Sequence, residues 1–405
     1  LGKSNMEHYD DSEKIKAHAK KIRRLEDRDM EQQFTSAFIA TSGHLELIYD
    51  ETDVNERPKK RPKTGRRNTN LSYMTRDQFD AILKKIQDRK TQYYYFRDYY
   101  AFQLLGYLIG IDGMEVGIIK KTAFGKLLNA PAVKSITATL GDGLLTREML
   151  INNLSPGQLC FVLSLDEWGD ERRWHSYYHQ TSRPGYNLVV QLNFSDQHDK
   201  QYRKLITTAD DHPFEYDVHP ISKDKNRTLA WARIDMAEDM SYVLIEEIQS
   251  DWIWLAENRI TLAETIMETD DGEVVVGQTE IKRRNIEKEK HEQYLRTVLK
   301  PYTSIWEEAM LSSVIWLLKE KLGVNTFYYH THEGGTLLKG IDFGKKPPTS
   351  IYTKLPRKFC FRLTNEPPAF IANRVKELEA KNRVKIKFYK LDFAEFTCIK
   401  YNSPP

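Results

Sequence analysis

The chain has 405 residues, 40% hydrophobic and 29% charged, with a formal net charge of +3; this is the balance of a soluble globular protein with a sizeable core, in two domains or one elaborated domain. No run of about 18 apolar residues is present, which excludes a membrane-spanning helix. Three widely spaced cysteines, Cys160, Cys360 and Cys398, exclude a disulfide framework or a cysteine-rich zinc module and fit a reducing cytoplasm.

From the N-terminus, Ser12 to Arg28 is charged with sparse apolar positions and predicts an exposed helix. FTSAFIATSGHLELIYD (34–50) predicts a hairpin turning at Ser42-Gly43. RPKKRPKTGRR follows, with Arg57, Lys59, Lys60, Arg61, Lys63, Arg66 and Arg67 among two prolines and a glycine. Such a stretch reads as a flexible arm that neutralises phosphates on DNA or RNA, as a localisation signal, or as a solvated loop. Thr75 to Gln78 (TRDQ) is a capping box opening a helix with Phe79, Ile82, Leu83 and Ile86 on one face. Two more helices are expected, an aromatic one over Tyr93 to Leu108 and one near Thr122 to Leu128, making 71–155 a helical subdomain behind an N-terminal region of 1–70.

Beyond Ser155 the texture turns to strands: CFVLSL, YNLVVQLNF, TLAWARIDM and YVLIEEIQ, the last two joined by a short turn at Ala237 to Met240. Closely spaced strands predict an antiparallel meander. The segment 255–300 is a charged, mostly helical insertion carrying a hairpin, TDDGEVVVGQ. A second capping-box match, Ser304 to Glu307, opens a helix that Gly323 stops, and VNTFYYHT follows as a strand. A short helix and a last strand, VKIKFYKLDF, complete the chain. The expected class is mixed α/β (α+β), with a helical N-terminal region and a mixed central sheet flanked by helices over 156–405.

The order strand, polar-ended strand, long helix, strand, short helix, strand resembles the core of the GNAT (N-acetyltransferase-like) family, and SIYTKLPRKFCF (Ser350 to Phe361) looks like its last helical element. The resemblance implies acyl transfer, with Tyr352 where that family commonly keeps the acid for the leaving thiol. It also implies acyl-CoA, yet the family's glycine-rich pyrophosphate loop is not seen: the interval holds only Gly272 and Gly277. The strings LIEEIQSDW and PPTSIYTKLPRKF also look like uncharacterised proteins of bacterial, phage and mobile-element genomes that carry an EIQSDW signature. That likeness implies a setting of mobile-element or antiviral-defence biology.

Within EEIQSDW, alternation along a strand puts Glu247, Gln249 and Asp251 on one face and Glu246, Ile248, Ser250 and Trp252 on the other. Polar residues at the carboxyl end of a strand sit where open sheets bind ligands, so Glu247 and Asp251 are candidate bases and Gln249 and Trp252 candidate substrate contacts; buried carboxylates paired with arginines such as Arg233 are the alternative. In YYHTHEGG, His330 and His332 are expected to face one way, with Glu333 just beyond. They are candidates for acid–base work, for holding a divalent metal, or for structural hydrogen bonding. Gly334, Gly335 and Lys339 could hold an anion at a helix start. Last, the loop DEWGDERRWHSYYHQTSRPG mixes Arg172 and Arg173 with tryptophans and tyrosines, which suits stacking on unpaired bases or a domain interface. The leading expectation is a GNAT-like transferase moving an acyl or similar group onto nucleic acid or protein; the alternative is a non-catalytic nucleic-acid-binding or assembly protein on that scaffold.

Overall fold

The computed structural model describes residues 73–86, 89–154, 158–170, 181–206, 214–215, 219–223, 225–257, 288–339 and 349–395. The expected N-terminal helix, the 34–50 hairpin, the 57–67 arm, Arg172 and Arg173, and the 269–278 hairpin lie outside the described residues.

Eight strands form one mixed sheet, flanked by helices: β1 (Lys90–Tyr95), β2 (Leu159–Asp170), β3 (Gly185–Phe194), β4 (Thr228–Met236), β5 (Tyr242–Gln249), β6 (Thr326–His330), β7 (Arg362–Thr364) and β8 (Phe388–Asp392). Their order is β1-β2-β3-β4-β5-β6-β8-β7. Strands β2 to β5 are the expected meander. Every neighbouring pair is antiparallel except β5 and β6, which run parallel from Tyr242 beside Thr326 to Ile245 beside Tyr329. A parallel neighbour needs a crossover, and the 17-residue helix Trp306–Leu322 supplies its last part.

The described helices used below are α1 (Arg76–Lys85), α2 (Tyr99–Ile109), α3 (Trp306–Leu322), α4 (His332–Lys339), α5 (Thr349–Lys358) and α6 (Ala372–Asn382). Helix α1 begins as expected: Thr75 accepts from the Gln78 amide, and the Gln78 side chain accepts from the Thr75 amide. The second capping box does not form. Ser304 turns its hydroxyl to the Pro301 carbonyl, and α3 starts after Ile305 with no side-chain cap. Gly323 does stop α3, with φ of 72° and its amide bonded back into the last turn. The helix expected over Tyr93 to Leu108 is shorter than its pattern, because Lys90–Tyr95 pairs with β2 as an edge strand and α2 starts only at Tyr99. Lys90–Tyr95 therefore belongs to the large sheet, and buried residues between Met74 and Leu150 contribute to the same core as the strands. The helix expected near Thr122 to Leu128 is a helix at Val116–Lys120 followed by a 3-10 turn at Gly125–Asn129.

One face of the sheet is apolar. Leu188, Val190 and Leu192 of β3, Ala230, Ala232 and Ile234 of β4, and Val243, Ile245 and Ile248 of β5 pack with α2 and α3 residues in one buried cluster. Each fully buried Leu, Ile or Phe there contributes roughly 1.5–3 kcal/mol. Trp252 belongs to the same core, ringed by Phe194, His198, Tyr202 and Phe214, with its indole N–H donated to the Tyr294 hydroxyl at 2.7 Å. The opposite face mixes polar residues with Val189 and Trp231 over β2 to β5, and a second apolar cluster forms where Leu244, Tyr328 and Phe388 meet Leu338 of α4 and Val375 of α6.

Candidate functional site

The polar end of β5 does not alternate regularly. Ile234 of β4 lies opposite Ile245, but its neighbour Arg233 lies opposite Glu247, so one extra residue, Glu246, is accommodated in β5. This is a β-bulge. Its effect shows in the packing: Ile245 and Ile248, three residues apart, both enter the apolar core. Glu246 and Glu247 turn instead to the polar side, where Glu246 meets His330 and Glu247 meets Arg233. The expectation that they face opposite ways is thereby corrected.

Glu246 is fully buried and heavily bonded. It accepts from the Ser182 amide at 2.9 Å, the Ser182 hydroxyl at 3.0 Å and His330 Nε2 at 3.0 Å. Lys339 of α4 reaches its carboxylate at 3.6 Å and donates to its backbone carbonyl at 2.6 Å. Burial alone would raise the carboxyl; the hydrogen bond and charge of His330, then the charges of Lys339 and Arg233, outweigh it and hold the group at about 2. Burial moves His330 the other way, below the ordinary imidazole range, against the pull of Glu246. Gly335 packs closely on this ring: a Cβ there would stand 3.2 Å from the His330 Cβ and 3.3 Å from its Cγ, so the two would have to part by a few tenths of an ångström. Of the group read as an anion site, Lys339 faces the Glu246 carboxylate, while the Gly334 and Gly335 amides are spent on Thr331.

Serine, histidine and glutamate in contact invite comparison with a nucleophilic triad, and the atoms decide against it. In a triad the acid and the serine take opposite nitrogens of the ring. Here Ser182 Oγ, at 2.9 Å, and Glu246 both address Nε2, while the buried Nδ1 meets no partner among the described residues. The cluster locks three segments together without activating Ser182.

His332 is not on the strand with His330. The strand ends at His330, Thr331 caps the next helix through the Gly334 amide, and His332 opens α4. Its ring packs edge-on against Tyr352 at 6.2 Å, and its buried Nε2 has no partner among the described residues. Tyr352, on α5, also lies 5.8 Å from the ring of Tyr329, whose buried hydroxyl is likewise unpartnered there. Burial and then the nearby Glu247 push the Tyr352 phenol up, so it stays protonated. Glu247 is buried and bonded to Arg233 at 2.7 Å. Glu307, at the start of α3, has its carboxyl raised by burial and by Glu308, and Tyr329 lies within electrostatic reach of both Glu307 and Glu247.

The remaining candidates separate. Asp251 sits in a second buried group, bonded to His219 Nδ1 at 2.9 Å, to the Trp231 indole at 3.2 Å and to Gln249 Nε2 at 2.5 Å. Trp252 is a core residue with its one donor satisfied, which corrects its reading as a substrate contact. Glu333 is exposed in the first turn of α4. Among the described residues no group of three His, Cys, Asp or Glu side chains is arranged to hold a metal ion, and no helix is long and apolar enough to cross a membrane. Sequence reasoning passed over Ser182 and His219; each lies in a loop, with no periodic neighbour to mark which way it points.

The residues after β5 do not fit the pyrophosphate that acyl-CoA would bring. Ser250 spends its hydroxyl on the Leu229 carbonyl and the Ile253 amide. Asp251 places a buried carboxylate at the first helical position, where a phosphate charge would otherwise be welcomed. No family model matches the chain, and it matches no curated protein and no solved structure.

Proposed function

We propose that the chain is a transferase on a GNAT-like scaffold, moving an acyl or similar group onto a nucleophile of nucleic acid or protein, in the mobile-element or defence setting that its EIQSDW stretch implies. The supporting observation is the parting of β5 and β6. Their parallel ladder stops at Ile245 and Tyr329, and the β5 bulge falls on the next residue. Glu247, Tyr329 and Tyr352 gather about that point, with polar atoms of Tyr329 and His332 unpaired among the described residues.

In this reading Glu247, bonded to Arg233 at 2.7 Å, accepts the proton of the attacking nucleophile. The bond from nucleophile to acyl carbon forms as the bond to the leaving group breaks, and Tyr352 returns a proton to that group. Because residues 250–253 do not fit a pyrophosphate, the donor is held through its acyl end.

The test is release of free thiol from acyl-pantetheine and from acyl-CoA, with small amine and nucleic-acid acceptors. Turnover is expected from both donors without a large preference for CoA. Tyr352→Phe, which removes only a hydroxyl, should lower the rate by roughly 10²–10⁴-fold with unchanged melting. Equal rates in the variant and the parent would sink the assignment. One observation favours a non-catalytic, nucleic-acid-binding or assembly role: Glu246, Glu247, His330 and Lys339 are all buried in internal pairs. That role takes precedence if no donor turns over and only neutralising the 57–67 arm abolishes binding to DNA or RNA.

A further inference from the structure

Strand β1 closes one side of the sheet. Among the described residues it pairs with β2 alone, from Lys90 beside Ser164 to Tyr95 beside Leu159, with no bulge. The direction of its free backbone groups follows from the ladder. Phe194 of β3 donates its amide away from β2, to the Arg227 carbonyl at 2.8 Å. Hydrogen bonding alternates along antiparallel strands, so β2 is bonded to β3 through Val162 and Asn193, and to β1 through Phe161 and Tyr93. The N–H and C=O groups of Gln92 and Tyr94 therefore point out of the sheet, and no hydrogen bond from a described residue meets them. Both residues are exposed, Tyr94 by 48%.

An open edge is usually blunted by a proline or a bulge; β1 runs six residues with neither. Its surroundings say what would pair with it. Lys84 and Lys85 end the helix that leads into β1, Arg89 precedes the strand and Arg97 follows it; all four are exposed, and none has an ion pair with a described residue. On the core side, the half-buried rings of Trp316 and Tyr99 stand 5.6 Å from those of Tyr93 and Tyr95 respectively. A nucleic-acid backbone suits the charge, but its phosphates supply acceptors only and leave the outward carbonyls unmet. A second copy of this chain, paired antiparallel, sets one basic end against the other. An added peptide strand meets donors and acceptors in alternation, and its side chains can match the charge. We infer that the β1 edge binds an extended acidic segment of a partner protein as a further strand, with apolar side chains toward Trp316 and Tyr99 and carboxylates at the alternate positions.

The test is fluorescence anisotropy of labelled peptides, as long as the six residues of β1, with the full chain. One peptide alternates valine with glutamate, a second has lysine for glutamate, and a third groups the same valines and glutamates in two blocks. Two more carry N-methyl groups on every second residue of the alternating peptide, in either phase. The alternating acidic peptide is expected to bind, and the lysine and block peptides to bind about tenfold or more weakly. Methylation should abolish binding in one phase and spare it in the other, because a strand pairs through one edge at a time. Gln92→Pro removes an outward N–H without removing a ladder bond to β2 and should weaken binding about tenfold. Lys84→Glu combined with Lys85→Glu and Arg89→Glu, all on the surface, should do the same even if the proline variant does not fold. The inference is overturned if no peptide binds, if both methylated phases bind like the parent peptide, or if the charge-reversed chain binds unchanged. It is also overturned if a single-stranded oligonucleotide binds these basic groups and the peptides do not, or if sedimentation shows the chain pairing with itself through this edge. The readout is binding at the far side of the sheet from β5 and β6, so its failure leaves the transferase reading standing, and the reverse also holds.

Discussion

Replacing Glu246 by glutamine keeps the shape of the side chain and removes its charge, which makes it a direct probe of the buried cluster. In the folded chain this carboxyl titrates at about 2 rather than its ordinary 4.5. A depressed carboxyl stabilises the fold fully above the unfolded value and loses that contribution as pH falls through the folded one. At about 1.4 kcal/mol for each pH unit, the contribution at neutral pH is about 3 kcal/mol. In the glutamine variant Lys339 loses its counter-charge, and the new NH₂ group competes with the donors of Ser182 and His330. Urea denaturation at pH 7 should therefore show the variant less stable by about 3 kcal/mol. Repeated downward from pH 5, the two curves should converge, the parent losing stability more steeply than the variant between 4.5 and 2. A gap that stays constant across that window, or a variant as stable as the parent at pH 7, would refute the account of Glu246 as a buried ion held by its neighbours.

Other outcomes follow from the same physics. His198, stacked 3.5 Å from Phe194, is lowered to about 3 by burial, so acid favours the unfolded chain from pH 6.5 downward, by up to about 5 kcal/mol; His198→Phe should flatten the stability profile between pH 6.5 and 4, and an unchanged slope there contradicts this. Arg233→Met should cost roughly 3–5 kcal/mol by stranding Glu247 in the interior, and adding Glu247→Met should recover most of it. A double variant no better than Arg233→Met alone, in the same urea assay, would show that the pair is not the determinant.

The strands Thr228–Met236 and Tyr242–Gln249 were legible to the residue, because each is a short stretch with an apolar start, bounded by turn residues. The mixed α/β class was legible for the same reason, with α3 and its terminal glycine separating two strand-rich stretches. Tyr93–Tyr95 was misread as the start of a helix because three tyrosines in a row suit a buried helix as well as an edge strand, and only pairing with β2 decides between them. At the site, Glu247 could be singled out as a carboxylate at a strand end, whereas Tyr352 came only from the family resemblance of the helix that carries it. The bulge could not: it is a disagreement in register between two strands, and nothing in EEIQ alone marks which residue is the extra one. His330 and His332 were separated by the helix that begins between them, since Thr331 prefers to cap rather than to continue the strand.

The parallel pairing of β5 with β6 also bears on how the chain reaches its folded state. Strands β4 and β5 are joined by a tight turn and can find one another quickly, whereas β6 lies beyond residues 250–325 and must close a long loop before it docks. Glu246 comes from the early side of that event, and His330 and Lys339 from the late side. The cluster is therefore assembled in a late, slow step, and any chemistry this edge supports is withheld from a nascent or half-folded chain until its last long-range contact has formed.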